Sequence, residues 1–157
     1  MLIQFNNYLS PETIYFWINF GVLPFWLMLI FIPNSKITQF FVNSVILPLI
    51  LASTYIYVIY EMISLDESIF NVFKLYLSLD DLFTVFATEA FLLVFWLHFV
   101  TLNLFLGSWI SRDGFKHGMP RGLVFIPLIL VYFTGPIGLV LYWLIRVFYA
   151  RKLGFHD

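Results

Sequence analysis

Four long stretches without a charged residue dominate this chain. Between Glu12 and Lys36 lie 23 residues with no Asp, Glu, Lys or Arg, between Lys36 and Glu61 another 24, between Glu89 and Arg112 another 22, and between Arg121 and Arg146 another 24. All 17 charges of the 157 residues therefore sit in the remaining 64 positions. Crossing the roughly 30 Å hydrocarbon core of a bilayer takes about 20 apolar helical residues, and a soluble amphipathic helix would show a charged face within that length. The pattern predicts an all-α, polytopic integral membrane protein built as a four-transmembrane-helix bundle. Its spans are expected at about 11–32, 37–60, 84–110 and 123–149, in a single membrane domain covering 1–157, with no room for a separate soluble domain.

Composition removes several chemistries. With no cysteine there is no disulfide, thiolate metal site, iron–sulfur cluster or cysteine nucleophile. A net charge of −1 gives no signal for a polyanion, so nucleic acid is not an expected partner. The opening Met-Leu-Ile-Gln-Phe-Asn-Asn lacks a basic stretch, and no small-residue cleavage site follows the first apolar run, so the first helix is expected to be retained. Twenty phenylalanines exceed what interfacial belts require, since those favour Trp and Tyr. They serve either as lipid-compatible filler or as the walls of a cleft for a flat, polyene-like ligand.

Local signals mark the elements. Ser10 as cap, Pro11 at the first helical position and Glu12 at the positive end of the helix dipole start the first helix. Pro24 and Pro48 predict bent spans, because neighbouring helices can satisfy a carbonyl freed by proline. From Asp66 to Leu79, polar Ser68, Asn71, Lys74 and Ser78 oppose Ile69, Phe70, Phe73 and Leu77 at helical spacing. That segment is expected to lie in the interface plane as a short amphipathic helix over about 66–79. Ser111–Gly122 is expected as a loop. Gly135-Pro136-Ile137-Gly138 permits either a kink or close approach of a helix or flat ligand. With four spans, Lys36, Arg112, Lys116 and Arg121 face Lys74, Arg146, Arg151 and Lys152 across the membrane, so the positive-inside comparison ties and both termini share a side.

Polar groups at membrane depth ask for a reason. At 100° per residue Glu89, Trp96 and Asn103 form one stripe, and His98, Thr101, Phe105 and Arg112 another. Glu89 and His98 face opposite ways, so an acid–base partner for His98 must come from another helix, for example as Asn19, Glu61 or Tyr142. Two readings stand for His98 and Asn103, an interhelical hydrogen bond or a role in proton transfer. Glu89 lies either at the surface or on the site, and Arg146 is read as a boundary residue. His98, His117 and His156 are too far apart for a metal pair, so no metal is expected.

Trp96-Leu97-His98-Phe99-Val100-Thr101-Leu102-Asn103-Leu104-Phe105-Leu106-Gly107-Ser108-Trp109 closely resembles the Trp-x-His-x-x-x-x-Asp-Leu-Phe-x-Gly-x-Trp signature of the abscisic-acid-deficiency-four (neoxanthin synthase-like) membrane proteins. Gly135-Pro136-Ile137-Gly138-Leu139 with Tyr142, and Asn19, Pro24, Phe25, Trp26 and Pro33, are similar to that family's other segments. One position departs: Asn103 stands where the family carries an acid, and an amide cannot exchange a proton as a carboxylate does.

The resemblance implies a four-helix protein acting on a polyene. In plants the family is associated with isomerising the epoxy-carotenoid violaxanthin to the allene neoxanthin, which needs no external cofactor. It implies an acid–base role for His98 and a catalytic position at Asn103. Glu89 is a candidate substitute there on the same stripe, although about 21 Å away along the axis at 1.5 Å per residue. The resemblance also implies substrate contacts from Asn19, Trp26, Trp96, Phe105, Gly135, Pro136 and Tyr142. The expected function is binding, and isomerisation, of a carotenoid or related polyene isoprenoid, with membrane lipid as the surroundings. The alternative is a non-catalytic accessory subunit of a larger pigment–protein complex; a small transporter is a weaker third reading, lacking a repeat or polar path.

Overall fold

The computed structural model describes residues 10–42, 44, 46–64, 73 and 76–150. Seven helices form among them: α1 (Pro11–Phe31), α2 (Lys36–Phe41), α3 (Ile46–Ser64), α4 (Leu79–Phe86), α5 (Glu89–Lys116), α6 (Arg121–Thr134) and α7 (Pro136–Ala150). Three stretches are long and apolar enough to cross a membrane: Pro11–Phe31, Lys36–Ser64 and Glu89–Lys116. Of the amphipathic helix expected over 66–79, positions 66–72, 74 and 75 lie outside the described residues, while Tyr76 and Leu77 form a turn ahead of α4.

Local chemistry sets the helix starts. The Ser10 hydroxyl accepts from the Thr13 N–H at 3.2 Å, with Pro11 in the first turn, and α1 runs unbroken through Pro24. Ser35 caps α2 in the same way, accepting from the Thr38 N–H at 3.0 Å, while the Thr38 hydroxyl donates 2.7 Å back to the Ile32 carbonyl and closes the α1–α2 turn. The helix expected over 37–60 is interrupted between α2 and α3. Pro48 lies in the first turn of α3, where its missing N–H is not needed, so it marks a helix start and not a bend. Ser78 caps α4. The third long helix starts at Glu89, after a break at Thr88, and continues through Lys116. The segment 111–116, expected as loop, is therefore helical.

The largest departure lies in the fourth expected span. Positions 123–149 do not form one helix. Gly135, at φ +62° and ψ −85°, occupies backbone space open to glycine and closed to side-chain-bearing residues. Its N–H ends α6 on the Val131 carbonyl at 2.9 Å, and its carbonyl accepts from Leu139 N–H at 3.1 Å as α7 begins. Pro136 fits that first position. From this bend α7 doubles back along α6. Gly138 rests on the backbone of Val131 and Pro127, and the Tyr149 hydroxyl reaches the Gly118 carbonyl at 3.3 Å, beyond the start of α6. Each leg is only about 21 Å long at 1.5 Å per residue.

Helix α5 is the axis of the assembly. It packs against α1, α3, α4, α6 and α7, and 44% of its apolar stretch is buried, against 28% and 25% for the other two long segments. Helix α1 runs parallel to it, with Tyr15 on Trp96 and Trp26 on Gly107. Helix α3 runs antiparallel, with Tyr55 beside His98 and Met62 near Phe91. The α6–α7 hairpin covers the end of α5 around Gly114, and its tip meets Asn103 near the middle of α5. Charge separates along this axis. Of the described acids, Glu12, Glu61, Asp80, Asp81 and Glu89 lie at the end where α1 begins, while Asp113 lies at the other. Every described cation, Lys36, Arg112, Lys116, Arg121 and Arg146, lies at that other end. The hairpin moves Arg146 across from where a continuous helix would have put it, and Pro11 and Tyr149 stand at opposite ends of the assembly.

Candidate functional site

The residues singled out in the sequence fall into four places, strung along α5. At the acidic end Glu89 is exposed in the first turn of α5. With Pro11, Glu12, Tyr15 and Trp96 it lines a cavity of about 450 Å³ between α1 and α5. The Trp96 indole N–H donates to the Asn19 side-chain oxygen at 3.1 Å, while the Asn19 amide donates to the Tyr15 carbonyl at 2.7 Å. Asn19 thus locks the Trp96 ring, which also stacks on Phe99 at 5.4 Å. This cross-helix bond satisfies both polar groups and joins α1 to α5.

On the opposite face of α5, His98 is exposed to a groove of about 710 Å³. Its walls come from α3 (Tyr55, Ile59, Met62) and α5 (Phe91, Val94, Phe95), with Phe73 and Tyr76 also lining it. The Tyr55 ring lies 6.2 Å from the imidazole, centroid to centroid. His98 lies about 13 Å along the axis from the start of α5 at 1.5 Å per residue. Its neighbour from another helix is therefore Tyr55, and neither Asn19 nor Tyr142 reaches it, since Asn19 holds Trp96 and Tyr142 holds Asp113. Phe105 is exposed elsewhere on α5.

The third place is the bend. Asn103 is buried, and its side-chain oxygen lies against Gly135 so closely that a Cβ there would stand 2.5 Å away. The Asn103 amide nitrogen has no hydrogen-bond partner among the described residues. Pro136 is exposed beside it. Trp26, buried, fills the notch over Gly107 and meets Tyr132 edge-on at 5.4 Å.

The fourth place was not legible as a site. Asp113 on α5 is buried and accepts from the Tyr142 hydroxyl at 2.6 Å and from Arg146 Nε at 2.7 Å, both on Oδ2. His117, one turn on, holds the Asp113 carbonyl at 2.9 Å through Nδ1. Arg146 is 0% exposed, so it is not a boundary residue but half of a buried ion pair. Two pairs at i,i+4 spacing, Asp113 with His117 and Tyr142 with Arg146, carried the signal; it becomes readable only once 111–116 is known to be helical. With its oxygen already serving a hydroxyl and a guanidinium, Asp113 fastens the returning leg of the hairpin to α5.

Chemically, two of these places combine space, apolar walls and exchangeable groups: the α1–α5 cavity with Glu12, Glu89 and Tyr15, and the larger His98 groove with an imidazole and a phenol. Among the described residues no group of three or more His, Cys, Asp or Glu could hold a metal ion. A family model described as ABA DEFICIENT 4-like (ABA4-like) matches residues 13–142. No curated protein and no solved structure gives a significant match.

Proposed function

Given that the chain belongs to the ABA4-like family, we propose that it is an integral membrane protein that binds a carotenoid or related polyene isoprenoid in the His98 groove and isomerises it. The observation that carries this reading is the groove itself. Its volume of about 710 Å³ falls in the range of about 300–1,000 Å³ common to small-molecule sites, and its apolar and aromatic walls suit a flat polyene. In an epoxide-to-allene isomerisation the ring C–O bond breaks, a vinylic proton leaves and the oxygen gains a proton, with no net gain or loss of atoms. His98 is suited to take the vinylic proton and the Tyr55 hydroxyl to deliver one to the oxygen, after which imidazolium returns its proton to the phenolate.

Protein purified in mild detergent from a carotenoid-producing host should carry a polyene absorption. His98→Gln should keep that pigment and lower conversion of an epoxy-carotenoid by about 10²–10⁴-fold. Val94→Phe, which fills the groove wall, should lower pigment content. Wild-type protein without pigment or turnover would sink the reading; a stoichiometric pigment without turnover would support an accessory subunit, a reading favoured by the amide at Asn103.

The topology we infer has three crossings and a helical hairpin that enters and leaves at the basic end. Each hairpin leg, about 21 Å, is shorter than the roughly 30 Å hydrocarbon core, and by the positive-inside tendency the basic end faces the cytoplasmic side. The cysteine-free chain allows a direct check. Glu12→Cys and Tyr149→Cys should react with an impermeant maleimide from opposite faces of sealed vesicles, and Phe133→Cys from neither. Labelling of Glu12→Cys and Tyr149→Cys from one face would restore the four-crossing topology.

A further inference from the structure

At the basic end two small clefts open side by side. One, of about 120 Å³, is bordered by Arg121 and floored by apolar Leu29, Val124 and Leu128. The other, of about 140 Å³, is bordered by Arg112 and Gln39. They share Pro33, Asn34, Ser111 and Phe115 as a common wall, so the two arginines flank one seam of mixed polarity. Both arginines are exposed, and neither forms an ion pair among the described residues. The only described acid at this end, Asp113, is already held by Arg146 and Tyr142. Arg121 also stands in the first turn of α6, where the helix dipole disfavours a cation unless an anion lies close by.

We propose that this double cleft is a binding site for the headgroup of an acidic phospholipid. Arg112 and Arg121 grip the phosphodiester from two sides, Asn34 and Gln39 supply neutral hydrogen bonds, and the acyl chains run along the exposed rings of Phe115 and Phe125 at the mouth of the first cleft. The charge pattern selects an anion, and the exposed Phe115 and Phe125 rings select one that carries hydrocarbon, which a free phosphate does not. The site rests on the membrane reading given above.

The test uses the full-length protein, delipidated and offered phosphatidylglycerol or phosphatidylcholine, with bound lipid counted by native mass spectrometry. An Arg or Lys near an anionic surface strengthens binding by about fivefold, so the pair predicts a preference for phosphatidylglycerol of about 25-fold. Arg112→Gln with Arg121→Gln should abolish that preference, either single change should remove about fivefold of it, and Lys36→Gln, a cation outside both clefts, should leave it intact. Equal retention of the two lipids by the parent, or an unchanged preference in the double variant, would overturn the site. Displacement by inorganic phosphate as effective as that by phosphatidylglycerol would assign the clefts to a free anion and overturn the lipid. Extraction of the parent from membranes by alkaline carbonate would instead count against the membrane reading, so the two failures are distinct.

Discussion

Replacing Arg146 with methionine should cost about 3–5 kcal/mol of stability, because it strands a buried carboxylate. In the parent, Asp113 Oδ2 receives Arg146 Nε at 2.7 Å and the Tyr142 hydroxyl at 2.6 Å, in a setting where Arg146 is 0% exposed. Removing one partner leaves the other charged where water cannot reach it, and the returning leg of the hairpin loses its main polar tie to α5. Removing all the polar groups together is a different matter. Asp113→Leu with Arg146→Met and Tyr142→Phe leaves no stranded charge or hydroxyl, and should recover stability to within about 1 kcal/mol of the parent or above it. The measurement is reversible unfolding in mixed micelles as the denaturing detergent is raised. An Arg146→Met protein as stable as the parent would show that the ion pair does not hold α7 in place.

The second large effect is expected at Gly138. A Cβ on this residue would stand 2.3 Å from the Val131 backbone nitrogen and 2.7 Å from the Pro127 carbonyl oxygen. Backbone atoms in the interior of α6 cannot rotate aside as a side-chain tip can. Gly138→Ala must therefore push the two legs apart, at a cost of about 3 kcal/mol, and should loosen the contacts of Tyr142 and Arg146 further along the same leg. Gly21 in α1 is the natural control. A Cβ there meets nothing within 4 Å, so Gly21→Ala should stabilise the protein by about 1 kcal/mol through helix propensity alone. The same unfolding experiment separates the two changes by sign. If Gly138→Ala also stabilised, the close packing of α6 on α7 would be refuted.

Some of this architecture was legible because the signals are local. The start of α1 follows from Ser10, Pro11 and Glu12, three residues acting on one turn. The opposition of Glu89 and His98 follows from helical period alone, and the structure sets them in cavities on opposite faces of α5. The hairpin was not legible by counting. A charge-free run of 24 residues has the same length whether it is one span or two half-length legs, and only the backbone of Gly135 decides between them. Asp113 was hidden for a related reason. A charge three residues past the expected helix end, followed by Gly114 and Gly118, reads as loop chemistry, yet the hairpin covers that stretch and lets α5 continue through it. Tyr55 carries no local signal in the sequence, since its proximity to His98 depends on how α3 is registered against α5.

In the three-crossing topology proposed above, the bend at Gly135 would also dictate an order of events during biosynthesis. Segments leaving the ribosome can be handed to the bilayer one at a time only if each is long enough to span it, which holds for the stretches ending at Phe31, Ser64 and Lys116. The last two helices fail that requirement individually. They can be accommodated only as a pair, and only against a platform that already offers Gly114 and Asp113. On that topology insertion would end with a docking step, performed after translation has passed Arg146, in which a three-helix scaffold receives its final wedge. A chain stalled before that residue would hold every crossing it needs and still present an open cleft to quality-control proteases.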